Sequence, residues 1–336
     1  MRALLCVEPG RLEIVERPRP APRPNEALVR IRRAGVCGTD FHIFEGSHPF
    51  LNYPRVIGHE LSGEIESTGP GCRLSVGQSV CVIPYLSCGT CVACRRGKPN
   101  CCQHIKVLGV HVDGGMADYV RVPEANLATV DGLTLDQAAM VEFLAIGAHA
   151  VRRARIQQGD RVLVVGAGPI GVGCSLFARL RGGEVTALDR REDRLAFVRG
   201  ALGVERAVVA GADALTRLAA LTGGDLFDVV IDATGNAASI EAGFDYVAHG
   251  GTYVLVSVVL DDISFPDPKF HAREMSLLGS RNATREDFEA VLNAMREGRI
   301  PTDRLATHRA PLSESPERFR EWIRPESGAI KALIEI

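Results

Sequence analysis

The tightest constraint on this 336-residue chain lies near its middle, in the stretch Gly166-Ala167-Gly168-Pro169-Ile170-Gly171. It follows the apolar run 161–165 directly and opens an apolar segment with helical spacing. Glycine-rich turns are common, but with a strand before and a helix behind, this one predicts a phosphate-binding turn. The first glycine permits the tight turn, the second lets backbone approach a pyrophosphate, and the third lets helix and strand pack closely. Free N–H groups at the helix start then attract phosphate oxygens. Asp189 ends the next strand-like run, 18 residues beyond Gly171. A carboxylate there accepts hydrogen bonds from ribose hydroxyls and repels a 2′-phosphate, which favours NAD over NADP. Arg190 argues the other way, because an arginine can pair with that phosphate. The plain alternative is a nucleotide-free turn with a surface aspartate.

After a helical segment at 145–154, strand-like and helix-like runs alternate at 184–189, 194–202, 206–209, 214–221, 229–232, 240–247 and 252–259. Alternation of this kind predicts a parallel sheet with crossover helices. The first third reads instead as short strands, such as 27–34, 63–68 and 79–84, punctuated by Gly and Pro. In the tail, Phe288, Val291, Leu292 and Met295 mark one face of a helix over 285–296. A second helix and a final strand at 329–336 follow. The expected plan is an α/β chain of two domains: a β-rich domain over 1–144 plus 283–336, interrupted by a doubly wound dinucleotide-binding domain over 145–282.

The formal net charge is −2, and no block of like charge suggests a nucleic-acid partner. No apolar run approaches the ~18 residues needed to cross a bilayer. The first ten residues lack the apolar core and cleavage site of a leader, so the cytosol is the expected compartment. Ten cysteines in a reducing compartment then require an explanation other than disulfides. Cys88, Cys91, Cys94 and Cys102 can place four thiolates around one cation, and a closed four-sulfur zinc site is structural rather than catalytic. An iron–sulfur cluster or a redox thiol group is the alternative. Cys101, left over, reads as a free or partly buried thiol.

Three further segments offer metal ligands: Gly35-Val-Cys37-Gly-Thr39-Asp40-Phe-His42, Gly58-His59-Glu60 and Met140-Val-Glu142-Phe143. A catalytic zinc takes about three protein ligands and keeps one position open. Cys37, His59 and Glu142 could supply them, with Glu60 as an alternate or outer carboxylate. Taken singly, each has a plainer reading, since isolated cysteines are usually buried hydrophobes.

Taken together, these motifs resemble the zinc-containing medium-chain dehydrogenase/reductase family, which includes alcohol, sorbitol and threonine dehydrogenases. The resemblance spans nearly the whole chain and includes Asp232-Ala-Thr234-Gly235. Within the family, Tyr53 to Glu60, Val107 to Gly115 and Gly279-Ser-Arg281-Asn282-Ala283 are most similar to L-galactonate and L-gulonate 5-dehydrogenases, a sugar-acid branch. Members of that branch often carry proline where Phe143 stands, which puts the detail of that turn in question.

The resemblance implies a GroES-like catalytic domain with an inserted Rossmann domain, one catalytic and one structural zinc, and NAD. It also implies hydride transfer from a secondary hydroxyl of a sugar acid or polyol, with Thr39 as relay hydroxyl and His42 as outer base. Asp40 is implied as the partner that sets the tautomer of His59. Cofactor contacts are implied at Gly166, Gly168, Pro169, Ile170, Gly171, Asp189, Arg190, Arg194, Thr234, Val258 and Arg281. Arg281 and Asn282, with His111 on lesser grounds, are the substrate candidates, because an arginine fork suits a carboxylate. Whether Glu142 meets zinc directly or through water stays open. Other substrate readings are a sorbitol- or threonine-type dehydrogenase. A non-catalytic regulator is disfavoured, because ligands and relay residues all persist. A homodimer or homotetramer is implied by family habit alone.

Overall fold

A computed structural model describes residues 1–48 and 51–336. The chain divides into two compact units, Met1–Phe143 with Thr284–Ile336, and Leu144–Ala283. None of the helices among the described residues is long and apolar enough to cross a membrane.

The first unit is built on a seven-stranded sheet. Its order is Leu127–Thr129, Ser79–Val82, Glu60–Thr68, Glu26–Val36, Lys331–Glu335 and Ala306–Pro311, with Tyr119–Pro123 also pairing Glu26–Val36. A core of Ile31, Ile57, Leu61, Val80, Phe319, Trp322 and Ile334 packs in this unit. The long strand Glu26–Val36 sets the register on both sides. Gly35 pairs with Glu60 on one flank and with Leu333 on the other. The last strand of the chain is thereby laid beside the residues that precede Cys37. A Cβ at Gly35 would overlap the Glu60 carboxylate, so glycine here is what lets that side chain lie against the strand.

The second unit holds a six-stranded parallel sheet. From edge to edge its strands are Arg206–Val209, Glu184–Asp189, Arg161–Val165, Phe227–Asp232, Val247–Leu255 and Ser276–Gly279. Numbered along the chain, this is the 3-2-1-4-5-6 order of the dinucleotide-binding fold, which places ligands where the strand order reverses. The glycine loop leaves the strand Arg161–Val165 at that point and enters the helix Pro169–Leu180 with proline in its first turn. A Cβ at Gly171 would run into the Gly166 carbonyl oxygen, so the third glycine is needed for this turn to close.

Two elements differ from expectation. The run 252–259 is strand only to Leu255, because Leu255 already pairs with Asp232 and Gly279, the last residues of the two neighbouring strands. Beyond them there is no ladder to join, and Val258 is 74% exposed. The run 240–247 is a helix Ala237–Gly243 followed by a 3₁₀ turn Phe244–Tyr246, and Val247 already opens the next strand.

Candidate active site and metal centres

Cys37 sits where the strand Glu26–Val36 gives way to the helix Gly38–Glu45 and acts as the helix cap. Asp40, in the first turn of that helix, accepts the backbone N–H of Cys37 at 2.9 Å and that of Gly58 at 3.3 Å. One buried carboxylate therefore ties together the two segments that carry Cys37 and His59. Ligand atoms of Cys37, His59 and Glu60 all lie within 4.8 Å of one another, close enough to share one cation. Glu142 is outside that tight group. It is nevertheless buried and near enough to His59 and Glu60 to shift its own ionisation.

Asp40 Oδ1 lies 3.8 Å from His59 Nδ1, an ion-pair distance rather than a hydrogen bond. That Nδ1 has no hydrogen-bond partner among the described residues. Burial works against a charged imidazole at His59, but Asp40, Cys37 and Glu142 outweigh it and raise the pKa well above the ordinary histidine value. A carboxylate, a thiol and a second carboxylate all favour positive charge at this spot, which is the chemistry of a cation site.

Sequence reasoning missed Lys331. Its ammonium donates to both Glu60 oxygens, at 2.6 and 2.7 Å, and to the Val36 carbonyl at 3.1 Å. It also lies 4.3 Å from the centre of the Phe143 ring. Both members of this ion pair are fully buried. The available signal was a lone lysine in the otherwise apolar run Ala329-Ile-Lys331-Ala-Leu-Ile. Tyr85 was missed as well. Its hydroxyl donates to Glu142 Oε1, while Glu142 Oε2 is buried without a hydrogen-bond partner among the described residues. Burial pushes Glu142 up to about 7, with Glu60 adding to the rise and His59, Tyr85 and Lys331 opposing it.

Of the residues expected nearby, Thr39 is half-buried in the helix Gly38–Glu45 and His42 is exposed, with Nδ1 3.2 Å from Ser47 Oγ. His111 accepts the Val107 N–H on Nδ1 at 3.2 Å, which leaves the proton on Nε2. His48, not singled out from sequence, is half-buried. Burial first, then His42, His111 and His59, lower its pKa, so His48 lies within electrostatic reach of the other three imidazoles.

Cys88, Cys91, Cys94 and Cys102 form the second group whose ligand atoms are all within 4.8 Å. A tetrahedral zinc–thiolate shell spaces its sulfurs ~3.8 Å apart, and Cys91 Sγ and Cys94 Sγ are at 3.5 Å. Backbone N–H groups of Cys88 and His104 point at Cys102 Sγ, both at 3.3 Å, and that of Cys91 points at Cys88 Sγ at 3.4 Å. Donors at Thr90 and Cys91 bring the Cys88 thiol down to about 5, whereas burial above all lifts Cys94 to about 11. All ten cysteines are unpaired, Cys101 being exposed.

In the second unit, Asp189 accepts the Ala167 N–H at 2.7 Å and the Arg191 N–H at 2.8 Å. It thus braces the glycine loop while keeping a lone pair on each oxygen. Arg190 beside it is exposed, and Arg194 keeps one buried guanidinium nitrogen without a hydrogen-bond partner among the described residues. Asp232 is held by the Thr234 N–H and hydroxyl, at 2.9 and 2.8 Å. Arg281 and half-buried Asn282 follow the strand Ser276–Gly279, and Asn282 takes a left-handed backbone with φ +52°.

Residues 23–132 match the alcohol dehydrogenase GroES-like domain, and residues 169–297 match the zinc-binding dehydrogenase domain. An L-galactonate-5-dehydrogenase of Escherichia coli (strain K12) is 43% identical over 99% of this chain and 98% of its own length. The chain belongs to the zinc-containing alcohol dehydrogenase family. A D-altritol 5-dehydrogenase of Agrobacterium fabrum (strain C58) is 35% identical, with 94% of each chain covered. A short chain alcohol dehydrogenase (rspB) from E. coli CFT073, solved with NADH, superposes with a TM-score of 0.94 at 30% identity, covering 100% of this chain and 99% of that one. The dehydrogenase is thus a zinc- and nicotinamide-dependent enzyme with a GroES-like domain and a Rossmann-like parallel sheet. Its donor sets suit zinc on chemical grounds: four thiolates in one site, and thiolate, imidazole and carboxylate in the other.

Proposed function

We propose that the enzyme oxidises a secondary hydroxyl of a sugar acid of the L-galactonate or L-gulonate kind to a ketone, with NAD as oxidant. The catalytic zinc domain is assigned to residues 1–144 plus 283–336 and the NAD domain to 145–282. The observation that carries this reading is the convergence of Cys37, His59 and Glu60, from separated segments, with ligand atoms close enough together to hold one cation. When bound, zinc acidifies the substrate hydroxyl as a Lewis acid and NAD accepts the hydride. The protein's own residues handle the proton: Thr39 takes it from the substrate hydroxyl and passes it toward His42, whose exposed ring releases it to solvent. Cys37, His59 and Glu60 hold the catalytic metal, with Glu142 beside them, and Cys88, Cys91, Cys94 and Cys102 hold the structural one.

Asp189 supports NAD over NADP, and Gly166 to Gly171, Arg194, Thr234, Val258 and Arg281 complete the proposed cofactor contacts. Arg281 is assigned to the substrate carboxylate, with Asn282 and His111 toward its hydroxyls. A homodimer or homotetramer is the proposed assembly. In its support, Ser276–Gly279 is an edge strand with Leu277 exposed. Ten unpaired thiols favour a cytoplasmic setting.

The test is reduction of NAD measured across a panel of aldonates and polyols, with bound zinc quantified in the same sample. Turnover should be highest on an L-aldonate at about two zinc per chain. Activity on sorbitol or L-threonine with none on any aldonate would overturn the substrate assignment.

A further inference from the structure

We infer that Tyr85 is a positioning residue that holds Glu142 with one carboxylate oxygen turned toward the metal group of Cys37, His59 and Glu60. The inference rests on the metal-site reading above and extends it to a residue outside every ligand motif. Glu142 stands in the first turn of the helix Val141–Ala154, and Tyr85 in the short strand Tyr85–Leu86. Only the tertiary fold brings them together. Both are buried, and the tyrosine hydroxyl donates to Glu142 Oε1.

The two buried glutamates of this region are satisfied differently. Glu60 has both oxygens on the Lys331 ammonium, so its charge is matched within the protein. Glu142 has Tyr85 on one oxygen and, among the described residues, no hydrogen-bond donor on the other. Leaving a buried carboxylate oxygen without donor or cation costs several kcal/mol, so the arrangement makes sense only if a further group completes it. The ring of Phe143, the next residue, lies 4.3 Å from the Lys331 ammonium that holds Glu60, which brings this segment beside the metal group. A phenol can donate a single hydrogen bond, so Tyr85 takes one oxygen and frees the other. The ring of Tyr85 is itself seated edge-on against Phe288, centroids 6.3 Å apart at 78°, which fixes the direction of its hydroxyl.

Tyr85→Phe keeps that ring packing and removes only the oxygen. The purified enzyme is prepared with cobalt(II) at the catalytic site and zinc in the four-cysteine site. Visible spectra and metal affinity are then compared for the parent, Tyr85→Phe, Glu142→Gln and the double variant. Tyr85→Phe should shift the cobalt bands in the same direction as Glu142→Gln and weaken metal binding by about 10- to 100-fold. NADH affinity and thermal midpoint should stay near the parent's. In the Glu142→Gln background, Tyr85→Phe should add nothing, because it acts only through that carboxylate. A parent-like spectrum and affinity in Tyr85→Phe, or full additivity in the double variant, would overturn the inference. If the parent itself takes up no cobalt beyond the four-cysteine site, the metal-site reading fails instead.

Discussion

At the scale of single residues, the buried pair Lys331–Glu60 is the most consequential feature for stability. Burial opposes the charge on the lysine, and the adjacent Glu60 and Cys37 more than restore it, so the ammonium is held above its ordinary pKa. Because both partners are wholly enclosed, removing one leaves the other, in the metal-free protein, as an uncompensated interior charge. Lys331→Met should therefore destabilise the metal-free protein by about 3–5 kcal/mol in urea unfolding. Adding Glu60→Gln to that variant should recover much of the loss, since an amide carries no charge to strand. A loss below ~1 kcal/mol in the single variant would mean that the pair is solvated or exchanged for another partner in solution.

At the scale of elements, the four-cysteine segment depends on its metal more than any other part. Its short helix Val92–Arg95 contains no buried residue, so little apolar contact holds it in place. The sulfurs are gathered by local turns and by backbone N–H groups aimed at them. Cys94→Ser should cost one zinc equivalent and open the segment to trypsin at exposed Arg95, Arg96 and Lys98, while far-UV circular dichroism changes little. Resistance to cleavage in that variant would show that packing, not metal, orders the segment. The helix over 285–296 makes the opposite point. Its apolar stripe is legible from spacing, and the structure buries Phe288, Val291, Leu292 and Met295 as that stripe requires. The end of the strand Val247–Leu255 was not legible in this way, because it depends on where its two neighbours stop.

At the scale of the whole molecule, the candidate catalytic group lies within the unit Met1–Phe143 plus Thr284–Ile336, and the glycine loop within Leu144–Ala283. Metal and dinucleotide functions are thereby separable. Cys37→Ser should lower turnover well beyond the ~10- to 100-fold expected of outer-shell changes, yet leave NADH affinity, measured by fluorescence titration, within about twofold of the parent. Loss of NADH binding together with turnover would show that the change reaches the second unit.

What could be read from the chain alone was whatever is encoded over short distances. The glycine loop, the four-cysteine spacing, the helix stripes and the Cys37 and His59 segments each declare their chemistry within a few residues. What only tertiary structure decided was pairing across the chain: Lys331 on Glu60, Tyr85 on Glu142, and the choice of Glu60 over Glu142 for the tight group with Cys37 and His59. The reason is register. A lysine in an apolar strand shows its partner only once Leu333 lies opposite Gly35 and Gly35 opposite Glu60, and no local pattern specifies which strands become neighbours.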